Sequence, residues 1–440
     1  MRLLAPRPLA LLAALVVPAV NACQPGDASA AGGARTVRST AGDTLVVRTV
    51  GGPDSSTLRL VPDLRIGQLE GPEAYTFGSI DAIAPDADGR VYVWDELSHS
   101  VRLYDADGRF VRQIGRRGSG PGEYQNLAGL LVVDGQLVFW DRQTQHASVY
   151  DSSGTLVRSW AATYPEPPMG ELYAGVGGRF YLRHSLAPFD FDDPANVRNN
   201  LAGLRTGYIG VDVTGAPTGD TLPYRIFRYR PSVHAGGPRG SAAQGVPFAP
   251  QPLAELSPRG YLVSAPGDPY AVLLERRDAP PLRIERDVAP VPVSEAERGD
   301  EEARVTAWLR NVDPGWTWDG PPIPDHKPAV RRLRFDAAGR LWVERELAST
   351  RIPDAELSDA PASRGLFPIP PRRWRAPVVY DLFEPDGRFL GTVERPRGAT
   401  FLHMSGDTVW GAQRDSLDVP YVMRWHLEPS VTGTAREGGR

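Results

Sequence analysis

Three side chains of complementary chemistry fall at matching points of a repeated strand-and-turn pattern: Glu255, Arg334 and His403. A carboxylate, a guanidinium and an imidazole that meet in one channel would orient a small anion or move protons. The same trio would also serve as a structural ion pair in a wet channel. A second group is aromatic and basic. Trp316 and Trp318 alternate in P-G-W-T-W-D-G-P-P, and Arg372, Arg373 and Trp374 stand together in P-R-R-W-R. Facing solvent, such rings stack on sugars or hold peptides, and the guanidiniums pair with anions. Turned inward, they fasten their own loops to the scaffold. A third group, Asp190, Asp192 and Asp193 with Asn196, has oxygen-rich spacing suited to Ca²⁺ but lacks the Gly and Glu of an EF-hand loop, so a plain acidic loop explains it as well. No G-x-S-x-G elbow, H-E-x-x-H pair or phosphate loop occurs, and the seven histidines have no ligand spacing. The sequence calls for no cofactor and leaves a divalent metal open.

These residues are positioned by a repeat. D-G-R-V-Y-V-W-D followed by V-R-L-Y-D-A-D-G-R-F-V-R (from Asp88 to Arg112) returns as D-G-Q-L-V-F-W-D and A-S-V-Y-D-S-S-G-T-L-V-R (from Asp134 to Arg158). Gly89 and Gly135, Trp94 and Trp140, Tyr104 and Tyr150 recur at one offset of 46 residues. A fixed period of ~40–50 residues with alternating apolar positions marks propeller blades of four antiparallel strands, a to d. The Asp-Gly turns are hairpin chemistry. Further blades are expected around Gly178–Val213, Gly260–Glu275, Asp336–Leu390 and Thr400–Leu427. The last lacks a strand d. L-R-I-G-Q-L-E-G-P-E-A-Y (from Leu64) echoes R-Q-I-G-R-R-G-S-G-P-G-E-Y (from Arg112), so an N-terminal strand around Leu58–Ile66 is expected to complete the last blade. The fold class is all-β: a six-bladed propeller over residues 44–430, closed by both ends, with no open edges. Aligned on their a–b turns, Ala84, Val132, Glu255, Arg334 and His403 occupy equivalent places.

The string I-G-R-R-G-S-G-P-G-E-Y (from Ile114) after D-G-R-F-V-R resembles NHL-type six-bladed propellers, and more closely exported bacterial propeller lipoproteins of uncharacterised function. The resemblance covers blades 1, 2 and 5 and the N-terminal strand. It implies fold rather than activity. NHL-type relatives are binding platforms, and the related gluconolactonase and amidating-lyase propellers hold a channel metal, for which no matching ligand set is present.

The first 22 residues read as a signal peptide: Arg2 and Arg7 precede the apolar run Leu9–Val20. Cys23, the only cysteine, follows in V-N-A-C, which resembles a lipobox, with Asn21 atypical there. Residues 23–43, small and polar, read as a flexible tether, and residues 431–440 as a disordered tail. With Cys23 lipidated or removed, the mature chain offers no disulfide and no thiolate metal site. The net charge of −4 gives no reason to expect nucleic acid.

Short a–b and c–d turns leave four long insertions, all b–c or d–a connections, on one face: 185–206, 228–251, 287–329 and 347–377. One carries an expected helix near 294–312, with Ser294 as N-cap and Val305, Trp308 and Leu309 as its apolar stripe. The expectation is a monomeric, extracytoplasmic propeller anchored by lipid at Cys23, more a binder of a peptide, protein or carbohydrate on its long-loop face than an enzyme. The alternative is a channel-centred hydrolase or lyase, metal-assisted or not, using Glu255, Arg334 and His403.

Overall fold

The computed structural model describes residues 33–52, 56–161, 172–175, 177–185, 205–225, 231–237, 240–357 and 369–430. Cys23, Asp190, Asp192 and Asp193, the leader and the tail lie outside them.

The fold is a six-bladed β-propeller with four-stranded antiparallel blades. Blade 1 runs Ile80–Pro85, Val91–Asp95, Ser100–Tyr104 and Phe110–Ile114, and blade 2 spans Leu127–Val133 to Leu156–Ala161. Each begins with the turn that the Asp-Gly chemistry demands. Asp86 Oδ1 accepts the backbone N–H of Asp88 and of Arg90, both at 3.0 Å, and Gly89 supplies φ +80°. Alternation then buries Trp94 and Trp140 between blades. Tyr124, the end of the G-S-G-P-G-E-Y string, locks them together. Its hydroxyl donates to Ile114 O and accepts from Val101 N, each at 3.0 Å, and its ring stands edge-on to Trp94 and Phe139 at 5.4 Å.

Blade 3 has strands Leu172–Ala174, Arg179–Ser185, Arg205–Asp212 and Pro217–Arg225. Blade 4 has Leu253–Leu256, Leu262–Ala265, Ala271–Leu274 and Leu282–Arg286. Blade 5 has Arg332–Phe335, Leu341–Glu346, Val378–Phe383 and Phe389–Glu394. Blade 6 takes strands a to c from Ala399–Ser405, Thr408–Arg414 and Pro420–Pro429. Its strand d is Leu58–Ile66, paired antiparallel from Leu58↔Pro429 to Ile66↔Val422. Leu58–Ile66 and the C-terminal strands thus close the ring in one blade, as the repeat predicts.

One feature corrects the sequence reading. The tether does not extend to residue 43. Arg35–Ala41 is a strand, paired along its length with Thr44–Val50. Thr44–Val50 lies parallel to strand d of blade 4, from Leu45↔Leu282 to Thr49↔Arg286, and makes that sheet six-stranded. The cause is apolar alternation after Asp43: Val47 is fully buried against Ile284 and Phe389, worth about 1.5–3 kcal/mol for such a side chain. Arg38 adds an ion pair to Asp386 at 2.9 Å in blade 5, and Thr57 N donates to Thr392 O at 2.9 Å. The N-terminal segment therefore belts blades 4, 5 and 6. No helix of the described residues is long and apolar enough to cross a membrane.

Candidate functional site

The sole long helix among the described residues, α1 (Glu295–Leu309), starts where Ser294 Oγ accepts the N–H of Glu297 at 3.1 Å. It buries Val305 and Leu309 against a hairpin from the blade 3–4 connection, Ser232–Gly237 with Gly240–Gly245. Trp316 sits in that cluster at 6% exposure, and its indole N–H donates to His234 O at 2.9 Å. Trp318 meets it edge-on at 6.2 Å and donates to Pro321 O at 3.1 Å. These rings are turned inward, so of the two readings of Trp316 and Trp318 the structure fits the second: they hold the loops together rather than form an exposed platform.

The blade 5 insertion docks on the acidic side of the same helix. Ser349 Oγ donates to Glu297 Oε1 at 2.6 Å, and the Trp374 indole to Asp300 Oδ2 at 2.8 Å. Arg372 faces Glu301 at 3.6 Å. Arg373 contributes its carbonyl to Ile352 N at 2.8 Å, with its side chain exposed. Of the basic-aromatic cluster, Trp374 and Arg372 are thus fasteners. Described parts of three insertions, from three different connections, form one cap on one face.

At the root of the 287–329 insertion, between blades 4 and 5, lies a cleft of about 550 Å³. The two ends of the 287–329 insertion zip into a stem beside it: Lys327 N donates to Val291 O and Val293 N to Asp325 O, both at 2.8 Å. Asp381, fully buried, anchors the cleft's inner wall. It meets Arg345 at 2.7 Å and Arg286 at 2.5 Å, and accepts from Thr392 Oγ1 at 2.7 Å and Tyr270 OH at 3.0 Å. Burial pushes its pKa up, but the two guanidiniums and these hydrogen bonds hold it below the ordinary carboxylate value. Burial next to Asp381 raises the Tyr270 phenol. Lys327, the only lysine, lines the cleft and donates to Ser349 Oγ at 2.7 Å and Leu347 O at 3.0 Å. Burial lowers its ammonium to about 8. His326 is held between Asp325 and Asp268, at 2.9 and 3.2 Å, which raises its pKa.

Glu255, Arg334 and His403 occupy one rung of three consecutive inner strands, opposite Val263, Trp342 and Trp410. In blade 2 that rung holds Leu131, opposite Val138, rather than Val132, because the two-residue Asp134-Gly135 turn shifts the register by one. Arg334 Nη1 donates across to Phe401 O in blade 6 at 2.6 Å, and Glu255 Oε1 accepts from Leu256 N at 3.1 Å. His403 lines a cavity of about 710 Å³ at the mouth of the opposite face, among the a–b turns of blades 1, 2, 5 and 6; Glu255 and Arg334 do not line it. Burial lowers the His403 imidazole to about 4, so it is neutral at pH 7. Among the described residues, no three His, Cys, Asp or Glu side chains converge to hold a metal.

The Asp381 cluster and Lys327 as a cleft residue were missed in the sequence. A signal existed: D-G-R-V-Y-V-W-D of blade 1 aligns with A-G-R-L-W-V-E-R of blade 5, which sets Arg345 where Asp95 stands, and V-R-L-Y aligns with Y-D-L-F, which sets Asp381 where Arg102 stands.

Comparison with known proteins supports the architecture. The family DUF5128, described as a 6-bladed beta-propeller, matches residues 57–158. A member of the duf4221 family from Bacteroides vulgatus is similar in structure, with TM-score 0.50 and 11% identity over 85% of this chain and 99% of that one. A protein of Bacteroides fragilis described as exported gives TM-score 0.45 and 10% identity, over 88% and 99%. Virginiamycin B lyase from Staphylococcus aureus gives TM-score 0.38 and 10% identity, over 84% and 99%. A comparison with curated proteins finds no match.

Proposed function

We propose that this chain is an exported binding propeller, tethered to a membrane through Cys23, that recognises a peptide, protein or carbohydrate in the cleft at the root of its cap. One observation carries the reading. Loops from two separate connections share an apolar core, a third is hydrogen-bonded to the helix of that core, and the insertion that carries the helix also lines a cleft of about 550 Å³. Independent elongation of tolerant loops gives no reason for them to interlock. A cleft of this size fits a small ligand or a few residues of a chain, and its mixed wall of Arg, Asp, Glu and Tyr suits polar recognition. Export and anchoring are supported by Arg2, Arg7, the run Leu9–Val20 and the single cysteine after it.

The test is a screen of envelope glycans and peptides with three proteins: the parent, Ala289→Trp, which fills the exposed cleft rim, and Asp107→Trp on the opposite face. A ligand retained by the parent and Asp107→Trp but lost by Ala289→Trp supports the reading. A ligand indifferent to Ala289→Trp and lost with Asp107→Trp overturns it.

A further inference from the structure

Resting on the proposed anchor at Cys23, we infer that the cap and its cleft are held facing the lipid surface, with blade 1 pointing away. The route of the chain carries this. Asp287 N, at the root of the cap stem, donates to Thr49 O at 3.0 Å, and Arg48 Nη2 pairs with Asp287 at 2.6 Å. Arg35 lies opposite Val50, the residue after Thr49, and Thr49 lies opposite Arg286. The chain therefore enters the propeller two strands out from Arg286, which lines the cleft, a lateral distance of about 10 Å at the usual strand spacing. The Ala34 side chain lies against Gly52 at this point.

Only the nine residues Gln24–Gly32 separate Cys23 from Gly33. That length spans at most about 35 Å when extended. Its root is on the outer rim of blade 4, and blade 1 is diametrically across a six-membered ring. The tether therefore keeps the blade 4 rim and the cap stem near the bilayer. Charge argues that the tether, not affinity for lipid, sets this orientation. Residues 287–329 contain nine Asp and Glu against four Lys and Arg, a balance that anionic headgroups do not attract. The ligands the cleft meets are then those presented at that surface.

The test imposes the anchor. The chain beginning at Cys23 carries one thiol, which is coupled to a maleimide lipid in phosphatidylcholine vesicles. p-Acetylphenylalanine replaces exposed Glu302 on α1 or exposed Asp107 in the c–d turn of blade 1, and each carries the same dye. Energy transfer to a rhodamine lipid is expected to be about twofold or more higher from position 302 than from 107, and about thirty Gly/Ser residues inserted between Asp27 and Ala28 should level the two. Equal or reversed transfer with the native tether overturns the inference, as does a preference for 302 that survives the long tether. Cell-side anchoring is read separately, from the mass of membrane-extracted protein. A Cys23 without acyl chains there refutes the anchor, whereas a vesicle result without the 302 preference refutes the orientation.

Discussion

In blade 1, Asp95 ends strand b and Arg102 faces it from strand c, 3.4 Å away. In blade 5, Arg345 stands in the place of Asp95 and Asp381 in the place of Arg102, 2.7 Å apart. The register is the same and the charges are exchanged. The consequence lies in what each group can do with backbone. The Asp95 carboxylate accepts the N–H groups of Ser79 at 2.9 Å and Gly78 at 3.1 Å, so it pulls the incoming d–a loop onto the blade. Asp141 does the same in blade 2, accepting from Asn126 at 3.1 Å and from Gln125. A guanidinium only donates. With Arg345 at that position, the connection into blade 5 finds no carboxylate there to accept its N–H groups. It extends instead through residues 287–329, and its returning end fastens itself by a cation: Lys327 donates down to Leu347 O. A pin within one blade has become a network between two, and a cleft opens where the loop no longer lies flat.

The strongest way to break this comparison is Asp381→Ala. It leaves two guanidiniums, Arg286 and Arg345, buried side by side, and a loss of about 3–5 kcal/mol in denaturant unfolding is expected. A loss under about 1 kcal/mol would mean that the network does not hold blades 4 and 5 together. Next, the double exchange Asp95→Arg with Arg102→Asp preserves opposite charges in blade 1 but removes the acceptor. It should still cost about 2–4 kcal/mol, because buried N–H groups lose their partner; recovery to parental stability would show that the ion pair alone matters.

The opposite face sharpens the contrast through pH. His403 is held near pKa 4 against 6.5 when unfolded. The unfolded chain binds the extra proton first, so stability falls as pH drops from about 6.5 to 4, by up to about 1.4 kcal/mol per pH unit. His403→Gln should flatten that limb of a stability–pH curve, and an unchanged slope would remove His403 as its source. The smallest effect belongs to Trp374→Phe, which deletes the indole donor to Asp300. About 0.5–1.5 kcal/mol is expected, seen as faster amide exchange in residues 347–357 and in α1 while blade 1 stays unchanged.

The blades were legible because they are local: a turn carboxylate, a glycine with positive φ and period-two alternation lie within forty-odd residues of each other. Ring closure was legible for the same reason, since the echo of Arg112–Tyr124 at Leu64–Tyr75 is a local match. The hairpin of Arg35–Val50 was not, because its edge strand is small and polar and only its parallel partner, Leu282–Arg286, distant in sequence, makes it a strand. The rung shared by Glu255, Arg334 and His403 was read correctly in register, yet strand position does not say which cavity a side chain lines. The direction of Trp316 and Trp374 depends on loops from other blades, which no period encodes. The charge exchange at Arg345 and Asp381 was present in the aligned repeats, and its meaning emerged only with Arg286 and Tyr270 beside it.

The central claim is that the capped cleft, and not the short-turn face, meets the ligand. Its most direct test is photo-crosslinking in intact cells, with p-benzoylphenylalanine at Ala289 on the cleft rim or at Asp107 on the opposite face. The account predicts a discrete adduct from position 289 that disappears when Ala271→Trp fills the cleft, and none from 107. An adduct from 107, or one from 289 that survives the filled cleft, would contradict it.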